Sequence, residues 1–156
     1  QLPKGWTCCT LEEVLDYEQP QAYIVTSTNY QNNYSIPVLT AGKSFIIGYT
    51  KENYGVCNNL PVIIFDDFTT ESKYVDFPFK VKSSAMKILH AKTGLNTKFI
   101  QLIMTNIKFK NETHKRYWIS EYSKMAIALP PIKEQERIVN AIDKIQEQLN
   151  KIYSIL

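Results

Sequence analysis

The segment IKEQERIVNAIDKIQEQLNKIYSIL, residues 132–156, contains no Gly or Pro and sets Ile138, Ile142, Ile145, Leu149, Ile152 and Leu156 at steps of 4, 3, 4, 3 and 4. That alternation holds a narrow apolar edge on one side of a helix, which is the stripe of a coiled coil or a long helical hairpin. A helix folded back on its own domain is the alternative, and it ordinarily needs a wider apolar face. Pro130 and Pro131 stand directly before the segment, and proline can neither continue a helix nor donate to a strand ladder. The chain therefore divides into a globular part, residues 1–131, and a long helix, residues 132–156.

The globular part is long enough to bury a core without covalent staples. Cys8, Cys9 and Cys57 are an odd set with an adjacent pair and no Cys/His spacing of a zinc site, so free thiols and a reducing cytoplasm are expected. Apolar runs such as FII and PVIIF fall far short of the ~18–20 residues of a membrane span, and no signal-peptide core is present. These features lead to the expectation of a soluble chain without a membrane partner. It opens on Gln1 rather than Met, as a fragment of a longer chain would.

Thr10 followed by Glu13, with Leu11, Val14 and Leu15 at helical spacing, predicts a short capped helix. From Tyr23 to Pro78 the runs AYIV, SIPVLT, SFIIGYT, LPVIIF and KYVDF alternate with Asn, Gly and Pro turn clusters, which predicts a compact, mostly antiparallel sheet. NTKFIQLIMTNIKF reads as a buried helix capped by Asn96 or Thr97, with a strand as the alternative. KRYWISEYSKMAIALPP reads as a turn and a final strand. The expected class is α+β: a β-rich domain followed by a coiled-coil-like C-terminal helix.

Catalytic signatures are scarce. Five glycines form neither a GxGxxG loop nor a P-loop, and LPPI lacks the polar and aromatic positions of a base-gripping methyltransferase tetrad. His90 and His114 have no Cys, Asp or Glu spaced around them as a relay or metal set. FDDFTTESK imitates a metal-dependent nuclease through Asp66, Asp67, Glu71 and Lys73, but so short a separation fits an acidic turn between strands better than convergent ligands. No catalytic, metal or cofactor residue is expected, and no cofactor.

SIPVLTAGKSFIIGYT, LPVIIFDDFTTESKYVDFPFKVKSSAMKIL, NTKFIQLIM and ALPPIKEQERIVNAID follow one another in an order that resembles the specificity subunits of type I restriction-modification systems. The resemblance implies a target recognition domain that reads one half of a split DNA site, followed by a spacer helix. Methylation and cleavage would belong to other subunits, so the implied partners are duplex DNA, a methyltransferase (modification) subunit and a restriction subunit. One recognition domain and one helix amount to half of such a subunit, completed by a second recognition domain or, through the helix, by a second copy as a homodimer. Many relatives carry Arg-His-Trp or Arg-His-Tyr before the last strand where this chain has Arg116, Tyr117 and Trp118.

Within that frame, Lys80, Lys82, Ser83, Ser84 and Lys87 offer charges and hydroxyls for phosphate positioning, with a solvated surface loop as the plainer alternative. The net charge of +3 permits such a patch without demanding it. Arg116 suits base reading, and Asn29, Gln31, Asn32 and Asn33 suit adenine edges, although Asn-rich turns also occur for conformational reasons. Lys43 is a further phosphate candidate. Tyr117 and Trp118 either stack beside DNA or pack inside. A protein-interaction module that docks through its helix without reading DNA is the competing function.

Overall fold

The computed structural model describes residues 1–112 and 114–156. Strand β1 (Thr7–Thr10) pairs antiparallel with β9 (Ala126–Leu129) and so ties the two ends of the globular part together. Between β1 and β2 (Leu15–Glu18) lies the short helix α1 (Leu11–Val14), whose Glu13 carboxylate accepts from the Thr10 N–H at 2.6 Å. This is the expected cap.

The central sheet runs β2-β8-β5-β6, all antiparallel, with β5 at Val62–Asp66, β6 at Ser72–Val75 and β8 at Met86–Ala91. Its middle strand β5 explains the continuous run PVIIF, because both of its faces are covered. Ile63 and Phe65 face a core with Leu11, Leu89, Ile100, Met104, Trp118 and Tyr122. Val62 and Ile64 face a second core with Leu39, Val75, Phe79, Val81 and Ile88. A smaller sheet, β4-β3-β7, closes that second core; β3 is Ile36–Leu39, β4 Ile46–Thr50 and β7 Lys80–Val81. β3 and β4 are antiparallel, whereas β3 and β7 run parallel.

Two expected strands change character. Of AYIV, Ala22 and Tyr23 close a 3₁₀ turn at Pro20–Tyr23, because Pro20 presets a turn conformation at its first position, and Ile24 keeps only a bridge to Val81. The aromatic stretch from Tyr74 to Lys80 is two strands in different sheets, β6 and β7, broken at Asp76–Pro78. Helix α2 (Thr97–Asn106) forms where expected, and Asn96 Oδ1 accepts from Phe99 N at 2.9 Å as its cap. Its buried side chains Phe99, Ile100 and Met104 cover the central sheet.

The C-terminal helix α3 spans Ile132–Ile155. Its first turns are held by the globular part. Gln135 is buried, donates to Pro130 O at 2.9 Å and accepts from Asn96 N at 3.0 Å; Val139 is also buried, and Lys98 reaches Asp143 at 2.8 Å. From Asn140 to Leu156 every residue is exposed, including Ile142, Ile145, Leu149, Ile152 and Leu156. No helix of the described residues is long and apolar enough to cross a membrane.

Candidate nucleic-acid interface

Two buried carboxylates organise the polar surface. Asp67 follows β5 directly and is 3% exposed, and its Oδ1 accepts from Tyr117 N at 3.1 Å and Trp118 N at 2.7 Å. Its Oδ2 faces Arg116 Nη1 at 3.5 Å and Lys87 Nζ at 3.8 Å. One side chain thus fixes the backbone of the 116–118 loop and balances two cations. Its neighbour Asp66 does what an acidic turn does: Oδ1 accepts from Phe68 N at 2.8 Å and Thr69 N at 3.1 Å. Both aspartates are therefore engaged with backbone N–H groups.

Glu52 is the second anchor. Its carboxylate accepts from the Thr26 hydroxyl at 2.5 Å, from Thr26 N at 3.1 Å, from Ser27 N at 3.3 Å and from Tyr54 OH at 2.9 Å. Burial opposes its ionisation, but the bonds from Thr26, Tyr54 and Ser27 outweigh that and bring its pKa down to about 2. Glu52 thereby pins the start of the polar loop. Farther along, Gln31 N donates to Tyr49 O at 3.1 Å, and the Tyr30 ring lies where Gly48 leaves no Cβ to meet it. Asn29, Gln31, Asn32 and Asn33 remain exposed on this anchored loop.

The basic cluster separates into inner and outer members. Lys80 is 1% exposed; its Nζ donates to Tyr54 O at 2.8 Å and Gly55 O at 3.2 Å and lies 4.9 Å from the Tyr54 ring centroid. It is a buried tether for the 54–55 turn and cannot reach a phosphate. Lys87, 4% exposed, donates to Gln19 Oε1 at 2.7 Å, and burial lowers its pKa despite Asp67, with Arg116 adding to the effect. It too is withdrawn from direct phosphate contact. Lys82 is exposed and Ser83 and Ser84 are half-buried in the turn between β7 and β8. Lys43 is exposed and lines a separate concavity of about 310 Å³ with Thr69–Lys73.

Tyr117 and Trp118 both take the packed alternative, which removes Tyr117 from the DNA-contacting candidates. Both are buried, Tyr117 packing edge-on to Phe109 at 5.0 Å and Trp118 edge-on to Phe65 at 5.3 Å, so neither offers a ring face to a ligand. Arg116 behaves oppositely. Its side chain is 47% exposed, yet its guanidinium stacks 4.8 Å from the Phe68 ring centroid, with Nη1 3.4 Å from Ser84 O and Nη2 3.5 Å from Ser84 Oγ. A guanidinium steadied on several sides gives up less rotamer entropy on binding than a free one.

Arg116, Ser84 and Lys87 line a concavity of about 520 Å³ together with Gln19, Gln21 and Ser120. The asparagine loop is anchored elsewhere, on β4. Gln19, Gln21, Phe68 and Ser120 escaped the sequence reading because their relation to Arg116 is made by the fold. Lys87 and Gln19 are 68 positions apart.

A family model for the type I restriction modification DNA specificity domain matches residues 3–154. The chain belongs to this family. The specificity subunit of the type I restriction enzyme EcoR124I/EcoR124II from Escherichia coli is 47% identical over 147 residues, covering 86% of this chain and 36% of that protein. The chain therefore spans about a third of the length of that relative. The fold agrees with a chain of a type I R-M system (TM-score 0.70, 19% identity, 97% of this chain and 41% of that one). It also agrees with the HsdS subunit from Thermoanaerobacter tengcongensis (TM-score 0.60, 18% identity, 97% and 40%) and the S subunit from M. genitalium (TM-score 0.70, 17% identity, 99% and 43%). At these identities the structures speak for the α+β fold, and the specificity-subunit family rests on the sequence matches.

Proposed function

We propose that this chain is a non-catalytic DNA-recognition module that reads one half of a split duplex site for a type I restriction-modification complex. The observation that carries the reading is the state of Arg116: half-exposed, yet held by Phe68, Asp67 and Ser84 at the rim of a polar concavity. A fixed, outward guanidinium suits bidentate recognition of a base edge. Lys82 and Lys43 supply the sequence-independent phosphate attraction, and the anchored loop of Asn29, Gln31, Asn32 and Asn33 supplies further polar contacts.

The bare part of α3 completes the proposal. Ile142, Ile145, Leu149, Ile152 and Leu156 form an exposed apolar seam that a second helix covers, either from the other half of a longer subunit or from a second copy. A homodimer so formed carries two identical heads and prefers a split palindrome. Docking to the modification and restriction subunits follows from the same reading. The test is selection of duplexes from a random pool by the purified chain, followed by sequencing. Enrichment of a short motif supports the proposal, and an unenriched pool contradicts it.

A further inference from the structure

Gln19 stands at a junction whose backbone is fixed on both sides. Glu18 closes the β2 register opposite Ile88, and the buried Pro20 opens the 3₁₀ turn. The Gln19 side chain is exposed and lines the concavity beside Arg116, while its Oε1 accepts from Lys87 Nζ at 2.7 Å. An ammonium has donors only, so the amide can have one orientation: oxygen toward Lys87, NH₂ away from it. Lys87 is itself held, buried between Gln19, Asp67 Oδ2 at 3.8 Å and the Tyr17 ring at 5.7 Å. The amide orientation is thus set from inside the protein.

This commitment changes what the glutamine can recognise. A free glutamine pairs with adenine by accepting from N6 and donating to N7, whereas one whose oxygen already accepts from an ammonium has one of its two lone pairs engaged and its NH₂ turned outward, so it serves better as a donor. Arg116, the neighbouring group, is also donor-only. Across the concavity, the cations of Lys87 and Arg116 face the single carboxylate of Asp67, leaving an excess of positive charge. The balance of charge and donors at the site therefore favours acceptors.

We propose that Gln19, its amide oriented as a donor by Lys87, is a DNA-contacting residue, and that the Gln19–Arg116 concavity takes a hydrogen-bond acceptor of duplex DNA: the O6/N7 edge of guanine, in which case Gln19 determines specificity, or a phosphate oxygen, in which case it positions. The proposal rests on the DNA-reading function above. Gln19→Met keeps the shape and removes the donors; Gln19→Glu puts an acceptor in their place and retains a partner for Lys87. Lys87→Met frees the amide to turn.

The experiment measures binding of the full chain and each variant to the selected duplex and to a set with every single base-pair change, with thermal melts to establish that the variants are folded. On the selected duplex, Gln19→Glu is expected to lose about tenfold or more and Gln19→Met about fivefold. If the acceptor is guanine, the loss is confined to one base pair, and Lys87→Met lowers the guanine-over-adenine ratio there by about tenfold by restoring the adenine pairing. If it is a phosphate oxygen, all duplexes weaken alike and the base preference stays. Folded Gln19→Met and Gln19→Glu proteins that bind the whole set within twofold of the parent overturn the inference alone. A parent chain without any sequence preference overturns the DNA reading and this inference with it.

Discussion

The head of the molecule, through Val139, and the distal helix, from Asn140 onward, treat the cost of exposure in opposite ways. In the head even the charged groups are enclosed: Lys80, Lys87, Glu52 and Asp67 are all buried, and each has named polar partners. Among the described residues no buried side-chain nitrogen or oxygen lacks a partner. In the distal helix nothing is enclosed, and Ile145 is 60% and Ile152 55% exposed. The same chain thus pairs the buried side-chain polar atoms of its described residues at one end and leaves an apolar seam bare at the other. The head encloses its apolar core, and the bare seam of the helix is the observation on which the proposed interface rests.

The sharpest way to break this comparison is to damage one region and look for effects in the other. Asp67→Ala strips a buried carboxylate from Lys87, Arg116 and the Tyr117 and Trp118 N–H groups, so denaturant unfolding should show a loss of about 3–5 kcal/mol. Ile145→Asp sits far from any of these partners and should leave head stability within ~0.5 kcal/mol. Its effect belongs to assembly: light scattering at tens of micromolar should find a dimeric parent and a monomeric mutant. A monomeric parent, or a mutant that still dimerises, rejects the seam.

Acid provides the next test. The Glu52 carboxyl lies at about 2 in the folded protein, below its ordinary value of 4.5. A depressed carboxyl contributes stability that is present above the unfolded pKa and is lost as pH falls through the folded one. Between pH 4.5 and 2, then, the parent should lose stability that Glu52→Gln has already lost, and the gap between the two unfolding curves should close. A gap that stays constant through this window removes Glu52 as an anchor. A smaller and purely local effect is expected for Lys80→Met, which should destabilise the head yet leave the salt dependence of DNA binding unchanged, because the buried ammonium releases no counterion.

How far the sequence reaches differs along the same boundary. Helices α1, α2 and α3 announce themselves through Thr10, Asn96 and an uninterrupted apolar stripe, all of which are local signals. The specificity-subunit family was legible in the Asp66-to-Leu89 block and in the Leu129-to-Val139 junction; in the structure, Gln135 of that junction helps pin the helix to the head. The site was much less legible. Lys80, Lys82 and Lys87 look equivalent in a row of residues, and only the covering of both sheet faces turns two of them inward. Lys87 shares a strand face with Leu89, beside Phe65, and is buried by the 116–118 loop and Gln19. Tyr117 and Trp118 were ambiguous for the same reason, since an aromatic beside an arginine packs or stacks according to what lies behind it.

The central claim is that the head separates positioning from reading, and it is tested by the salt dependence of binding to the selected duplex and to a scrambled one, measured for the parent, Lys82→Ala and Arg116→Ala. For the parent, both affinities should fall linearly with log salt and stay apart throughout. Lys82→Ala should weaken both duplexes and reduce both slopes by about 1 while keeping the gap between them. Arg116→Ala should shrink the gap by about 1–3 kcal/mol, with the effect traced to one base position. Equal losses on both duplexes from both substitutions would contradict the claim and leave Arg116 as one more phosphate contact.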